Sequence, residues 1–535
     1  MKRLIKFILA LTIIFAISTQ DAAGEKILFV PVDDRPVSYS QPVQVLEAAG
    51  FEMIVPPVEY VNRNFEDGGI NELWDWIEKN VSYADAAVIS ADAVIYGGLI
   101  PSRQHEFSTE VLSARINRFN TLHEKNPNLK IYLLSSIMRA PYEGTPGSIE
   151  EPEYYAQYGN AFYKYGAFSD KKETVGLTES ESEELENSQK SIPDEFFTDW
   201  LLRRRKNLFV TENLIDLTAD GIVSYLVVGL DDHHDFSQIR RENRELISYA
   251  QKKNLPKTKF QTLSGIDEFG LVLLTRAVND LRGETPKVFV RYNKGVGALT
   301  FPAYSDEVVS ESIEDELKIM NGEIVTNPKK ADLVFLVNTD PIGVTYHSHN
   351  SSPFTRDKTF NPYVQRDGTN YFVNMVDRYV KQGYSVSVAD ITFGNGADNP
   401  MMNLLKKRGL LFKLKSYAGW NTATNSIGFS LGTGILTKHM SEESKNKILA
   451  VRYLDDWAYQ ANVRTAVGDW IYFNFPNGAW TYGHLDDNKA MIEEKITQLM
   501  HKFVKDNFPR YDFLKDFTVN CIWNRMFEIE IEGVK

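Results

Sequence analysis

Residues 225–236, YLVVGLDDHHDF, run from an apolar half into five titratable side chains: Asp231, Asp232, His233, His234 and Asp235. Two adjacent carboxylates cannot ionise independently, so one keeps its proton. A proton donor beside an anion is what glycoside hydrolysis requires. For sugars with a 2-acetamido group, one carboxylate orients the amide, whose oxygen attacks the anomeric carbon. The other protonates the leaving oxygen. In this reading Asp232 is the acid and Asp231 the orienting partner. The competing reading is that the pair caps the next helix, for which Asp is well suited. The histidines raise a second chemistry, a divalent metal held by Asp231, His233, His234 and Asp33, with His347 and His349 in TYHSHN as further ligands. Neighbouring histidines rarely share one ion, and neither HExxH nor a paired-Cys motif is present. The primary reading therefore calls for no cofactor, and metal is kept for the alternative, a metal-dependent hydrolase. A non-catalytic glycan-binding or envelope protein is the third reading.

Other polar groups stand at the ends of apolar runs. VPVDDRPVS supplies Asp33, Asp34 and Arg35, an arginine able to bind a sugar hydroxyl or to pair with its own neighbours. ADAVIYGGLIPSR supplies Asp92 and Arg103, and DLVFLVNTDP supplies Asn338 and Asp340. ADITFGNGADNP adds Asp390, Asn395 and Asp398. AGWNTATNS adds Trp420, a candidate face for a sugar ring, beside Asn421. All are expected to line the cleft. Asp267 and Glu268 in SGIDEFG read as a first-turn acid pair favoured by the helix dipole. Asp455 and Asp456 read as structural or subunit-contacting. There is no GxSxG elbow and no phosphate-binding glycine motif.

Adjacent Asp residues after a barrel strand resemble the arrangement in O-GlcNAcase and hyaluronidase-like glycosidases. Over most of the chain, VPVDDRPVS, ADAVIYGGLIPSR, GLDDHHD, GIDEFG, FGNGADNP and AGWNTATNSIG are similar, in the same order, to the bacterial family known as domain of unknown function 4127. That family name carries no activity with it.

The elements that must position these groups alternate. Short β-branched runs such as KILFV and KVFV are separated by helical patterns, including GINELWDWIEKNV with Ile70, Trp74, Ile77 and Val81 on one face. Alternation means an α/β protein, with chemistry at the carboxyl ends of parallel strands. About eight such runs predict a TIM-barrel-like domain over 25–430. A polar, acidic insertion falls near 142–200 and a mainly helical region at 431–535. Lys2, Arg3 and Lys6 before the apolar stretch 7–17 predict an export signal over 1–24, hence a secreted or envelope protein that touches the membrane only if the segment is uncleaved. The chain has 535 residues, 43% hydrophobic and 24% charged, with a net charge of -13, which disfavours nucleic acid as a partner. The lone Cys521 reads as buried filler.

Overall fold

Runs such as KILFV at 26–30 and AAVIS at 86–90 are apolar at every position, so both faces of each strand need cover. The computed structural model describes residues 24–63, 68–141, 150–231, 235–303, 305, 307–347 and 365–534. The predicted export segment up to residue 23, the start of the insertion, Asp232, His233, His234 and His349 lie outside the described residues, as does the side chain of His347.

Six parallel strands form the first sheet: β1 Lys26–Val30, β2 Glu52–Ile54, β3 Ala86–Ser90, β4 Lys130–Ile137, β5 Tyr225–Leu230 and β6 Phe260–Ser264, in the order β2-β1-β3-β4-β5-β6. The remaining strands are β7 Lys287–Tyr292, β8 Glu323–Ile324, β9 Leu333–Asn338, β10 Tyr346–His347, β11 Val386–Asp390, β12 Phe393–Gly394, β13 Ser416–Ala418, β14 Thr518–Cys521 and β15 Ile529–Glu532. Five of them make a second parallel sheet, ordered β13-β11-β9-β7-β8. β10 pairs with β12, and β14 with β15 as an antiparallel hairpin.

The α/β class is as expected, with parallel strands alternating with helices. The barrel is corrected: among the described residues eleven strands lie in two open sheets and the other four in two-stranded pairs. A barrel closes its inner face on itself and carries helices outside only. Here each sheet has helices on both faces. A strand buried on two sides looks the same in either setting, so the sequence pattern does not separate them. Counted from β7, the second sheet repeats the strand order 2-1-3-4-5 of the first. Such a sheet opens a crevice where the order reverses, beyond the carboxyl ends of its first and third strands. The strand order therefore provides for two such crevices, at β1/β3 and at β7/β9.

Two helices join the sheets. Phe269–Arg282 lies on β3 and β4, Ala423–Leu436 lies on β11 and β13, and the two pack on each other. Every residue of Ala423–Leu436 is buried. Gly432 allows the approach, since a Cβ there would stand 3.0 Å from Thr275 Oγ1 and 3.3 Å from Leu271. One apolar core runs through this joint to the inner faces of both sheets. Separate cores cover the outer faces. Helices Ile70–Asn80 and Gln238–Lys252 bury Trp74, Ile77, Ile239 and Leu246 on the first sheet. On the second lie Thr369–Lys381, Asn399–Lys407 and the C-terminal helix Lys489–Asn507. Between β4 and β5 come helices Tyr155–Thr174, Glu179–Ser191 and Asp194–Ala219, with Tyr155, Phe162 and Trp200 stacked between the first and third. Among the described residues no helix is long and apolar enough to cross a membrane.

Candidate active site

β1 delivers Asp33, Asp34 and Arg35 to a tight turn. Asp33 is fully buried and accepts three hydrogen bonds from Arg35: from its backbone N–H at 3.1 Å, Nε at 3.0 Å and Nη2 at 2.8 Å. Arg35 Nη2 also donates to Asp267 Oδ1 at 2.7 Å, and Asn421 Nδ2 donates to Asp267 Oδ2 at 3.2 Å. Asp267 follows β6 and Asn421 follows β13. Strand ends of both sheets thus meet at one carboxylate. The loop carrying Asn421 is fixed from behind. Asp456, in the π-helical segment Tyr453–Val463, accepts from the Gly419 N–H at 2.7 Å and pairs with Arg452. The Asn395 N–H donates to Asn421 O at 2.8 Å.

A second arm starts at Asp231, just past β5. Arg103 Nη2 donates to Asp231 Oδ2 at 2.7 Å, and its Nη1 donates to Glu150 Oε2 at 3.3 Å. Glu150 also accepts from Arg139 Nη2 at 2.7 Å and from Arg525 Nη1 at 2.6 Å. Arg525 then clamps Glu528 with two bonds, at 2.8 and 2.6 Å, and Glu528 Oε1 lies 3.9 Å from Arg35 Nη1. With Glu151 on Arg139 at 2.5 Å, the lattice holds six carboxylates and four guanidinium groups. Its balance is negative, which suits a neutral or cationic ligand better than a phosphate. Burial alone would raise the Glu150 carboxyl, but Arg139, Arg525 and Arg103 together hold it well below the usual range. The Trp523 ring lies between Arg35, at 5.0 Å, and Arg525, at 4.9 Å. Its Nε1 donates to Asp34 Oδ1 at 2.6 Å. Burial pushes the Asp34 carboxyl up to about 6 against the pull of that bond, helped by the charge of Asp33.

Several other expected cleft residues are held in buried hydrogen-bond groups of their own. Asp92 is fully buried and receives Ser135 Oγ at 3.2 Å and Ser136 Oγ at 2.6 Å; burial pushes its carboxyl up to about 6. At the second crevice Asn338 Nδ2 donates to Asp390 Oδ1 at 2.9 Å and Asp398 Oδ2 at 3.0 Å, while Asn293 Nδ2 donates to Asn338 Oδ1 at 3.1 Å. Tyr417 Oη and the Asp398 N–H close on Asp390 Oδ2 at 2.9 and 2.7 Å. Arg366 pairs with Asp398 and lies 3.6 Å from Asp340 Oδ2. Asn338, Asp340, Asp390 and Asp398 are all buried and, among the described residues, form a group of their own apart from the Asp231 lattice. Trp420 offers no stacking face: it is 2% exposed and packs on Phe527 at 5.6 Å, because its loop is drawn into the core.

A family model described as a protein of unknown function, DUF4127, matches residues 27–532. The chain belongs to this family. No curated protein and no solved structure matches it. In this DUF4127 protein the matched span reaches from β1 to the last strand, so it takes in both ends of the lattice, Asp33 and Glu528. Asp33, a ligand in the metal reading, accepts three hydrogen bonds from Arg35. Among the described residues no three His, Cys, Asp or Glu side chains are grouped to hold a metal ion. Sequence reasoning passed over Asp267 as a dipole residue, and over Glu150, Trp523, Arg525 and Glu528 altogether. Arg139 had a signal: IMRAP, like VDDRP, places an arginine just past a strand.

Proposed function

We propose that this DUF4127 protein is an exported glycoside hydrolase acting on glycans, with N-acetylhexosamine-containing chains as the favoured class. The observation behind the reading is the convergence of Arg35, Asp267, Asn421, Trp523, Arg103 and Asp231, which come from distant parts of the chain, on one lattice at the strand ends. Asp231, paired with Arg103 at 2.7 Å and 21% exposed at its side chain, is the anion of this reading. It orients the acetamide N–H of the substrate. Asp232 protonates the glycosidic oxygen as the acetamide oxygen attacks the anomeric carbon, and the aglycone leaves. Water then opens the resulting oxazolinium ring, giving its proton back to Asp232. A hydroxyl-rich, uncharged ligand fits a lattice that is already negative.

The test is release of reducing ends from a panel of glycans, including chito-oligosaccharides, by the purified full chain. Turnover is expected, with D231N and D232N each lowering it by roughly 10³-fold or more. Activity that survives both changes, or a chain that turns over nothing on the panel, overturns the reading in favour of a binding protein. Loss of turnover on chelation in the presence of intact Asp231 and Asp232 would favour the metal-dependent alternative. Export is tested by the mass of the mature chain, with cleavage expected after Ser18 or Gly24.

A further inference from the structure

Glu268 caps the helix Phe269–Arg282, and Glu316 lies in the helix Val309–Ile319. Both are buried, at 1% and 0% exposure, and none of their four carboxylate oxygens makes a hydrogen bond of full geometry; among the described residues Glu268 has only weak donors near it and Glu316 none. They press on the same point of the third helix, Ala423–Leu436. A Cβ on Gly428 would stand 2.8 Å from Glu268 Cγ and 2.8 Å from Glu316 Oε2. Thr424, one turn earlier, stands beside Glu268 and shares a hydrogen bond with Thr422 at 3.0 Å; its hydroxyl and the Glu268 N–H pull the proton affinity of Glu268 down without outweighing burial.

The charges acting on the pair are Asp267, Asp231 and Glu307, all acidic, and burial raises the proton affinity of both glutamates. Among the described residues neither forms an ion pair with a lysine or arginine. A buried, ionised carboxylate without hydrogen bonds or a counter-charge costs several kcal/mol. Two side by side, their proton affinity raised by burial, either hold protons or share a cation that displaces them. We propose that Glu268 and Glu316, which meet at Gly428, together bind a hard divalent cation through oxygen ligands, calcium or magnesium. The donors at hand are carboxylate and hydroxyl oxygens, no imidazole or thiolate joins them among the described residues, and such a set selects hard cations. Two protein carboxylates with water completing the shell are enough for such an ion. The ion ties together the start of one helix that joins the sheets, the middle of the other, and Val309–Ile319. It is a structural staple, independent of the hydrolase reading.

The experiment uses the full chain, stripped with EDTA and dialysed. Calorimetric titration with CaCl₂ and, separately, MgCl₂ is expected to show one site per chain. Saturation should raise Tm by roughly 2–5 °C. In E268Q/E316Q both the heat of binding and the Tm shift disappear, while above about pH 8 the metal-free variant melts above the metal-free wild type because no buried carboxyl is left to ionise. If the wild type binds neither ion, or if the double variant binds as the wild type does, the proposal is overturned. It is equally overturned if stability falls with rising pH yet is indifferent to both cations, since protons alone would then neutralise the pair.

Discussion

At the carboxyl ends of β1 and β3, Asp33 and Arg35 reach onward to Asp267, Glu528 and the partly exposed Asp34. At the matching ends of β7 and β9, Asn293 and Asn338 turn inward on Asp390 and Asp398. The strand order is the same in both sheets, so topology offers the same crevice twice. What differs is the group at its centre. Asn338 spends both amide hydrogens on two carboxylates and plugs the second crevice. Arg35, longer and with five donors, leaves its own strand end and recruits a distant carboxylate, so the first junction stays connected to its surroundings. A fold supplies a location for chemistry, and the residue placed there decides whether it is used.

The largest test of this contrast is at Asp231. D231N should lower turnover by roughly 10³-fold, about 4 kcal/mol, while urea denaturation is unchanged within about 1 kcal/mol. D231N that unfolds the protein instead would make the open junction a structural one, like its twin. The next effect is at the plugged crevice. Arg366→Ala strands the fully buried Asp398 and should cost about 3–5 kcal/mol in urea denaturation, with turnover per folded molecule intact.

A pH series gives a somewhat smaller effect. The Asp92 carboxyl is pushed up to about 6 from a usual 3.8 by burial, opposed by its bonds to Ser136 and Ser135. The native state therefore holds this proton more tightly than the unfolded chain does. Its contribution to stability is fully present below pH 3.8 and is lost as pH rises through about 6. Relative to D92N, wild type should lose up to about 3 kcal/mol between pH 4 and 7. A flat difference would mean that Asp92 exchanges protons freely and belongs to the cleft after all. The smallest effect is at Trp523→Phe, which removes one hydrogen bond from Asp34. It should cost about 1 kcal/mol and raise the Asp34 carboxyl further, as read by NMR titration.

What could be read from sequence follows the range of the interaction. β5 ends where the apolar run ends, and Trp74 and Ile77 are buried where a 3.6-residue period puts them, because those signals are local. The pairing of Arg35 with Asp33 spans two positions and was one of the readings weighed for that turn. Arg35 with Asp267 spans 232 positions and Glu150 with Arg525 spans 375, and no local pattern marks either. Trp420 and Trp523 show the same limit. Both stand beside an asparagine, yet the fold buries the first against Phe527 and wedges the second between two arginines. The barrel expectation failed for a related reason: the strand pattern reports that two faces are covered and is silent on what covers them.

Because the whole of Ala423–Leu436 is enclosed between the sheets, the halves cannot swing apart without hydrating an entire helix. The joint is a weld and not a hinge. A visiting molecule must come in over the rim where the strands stop, and admission is governed by the shape of that mouth.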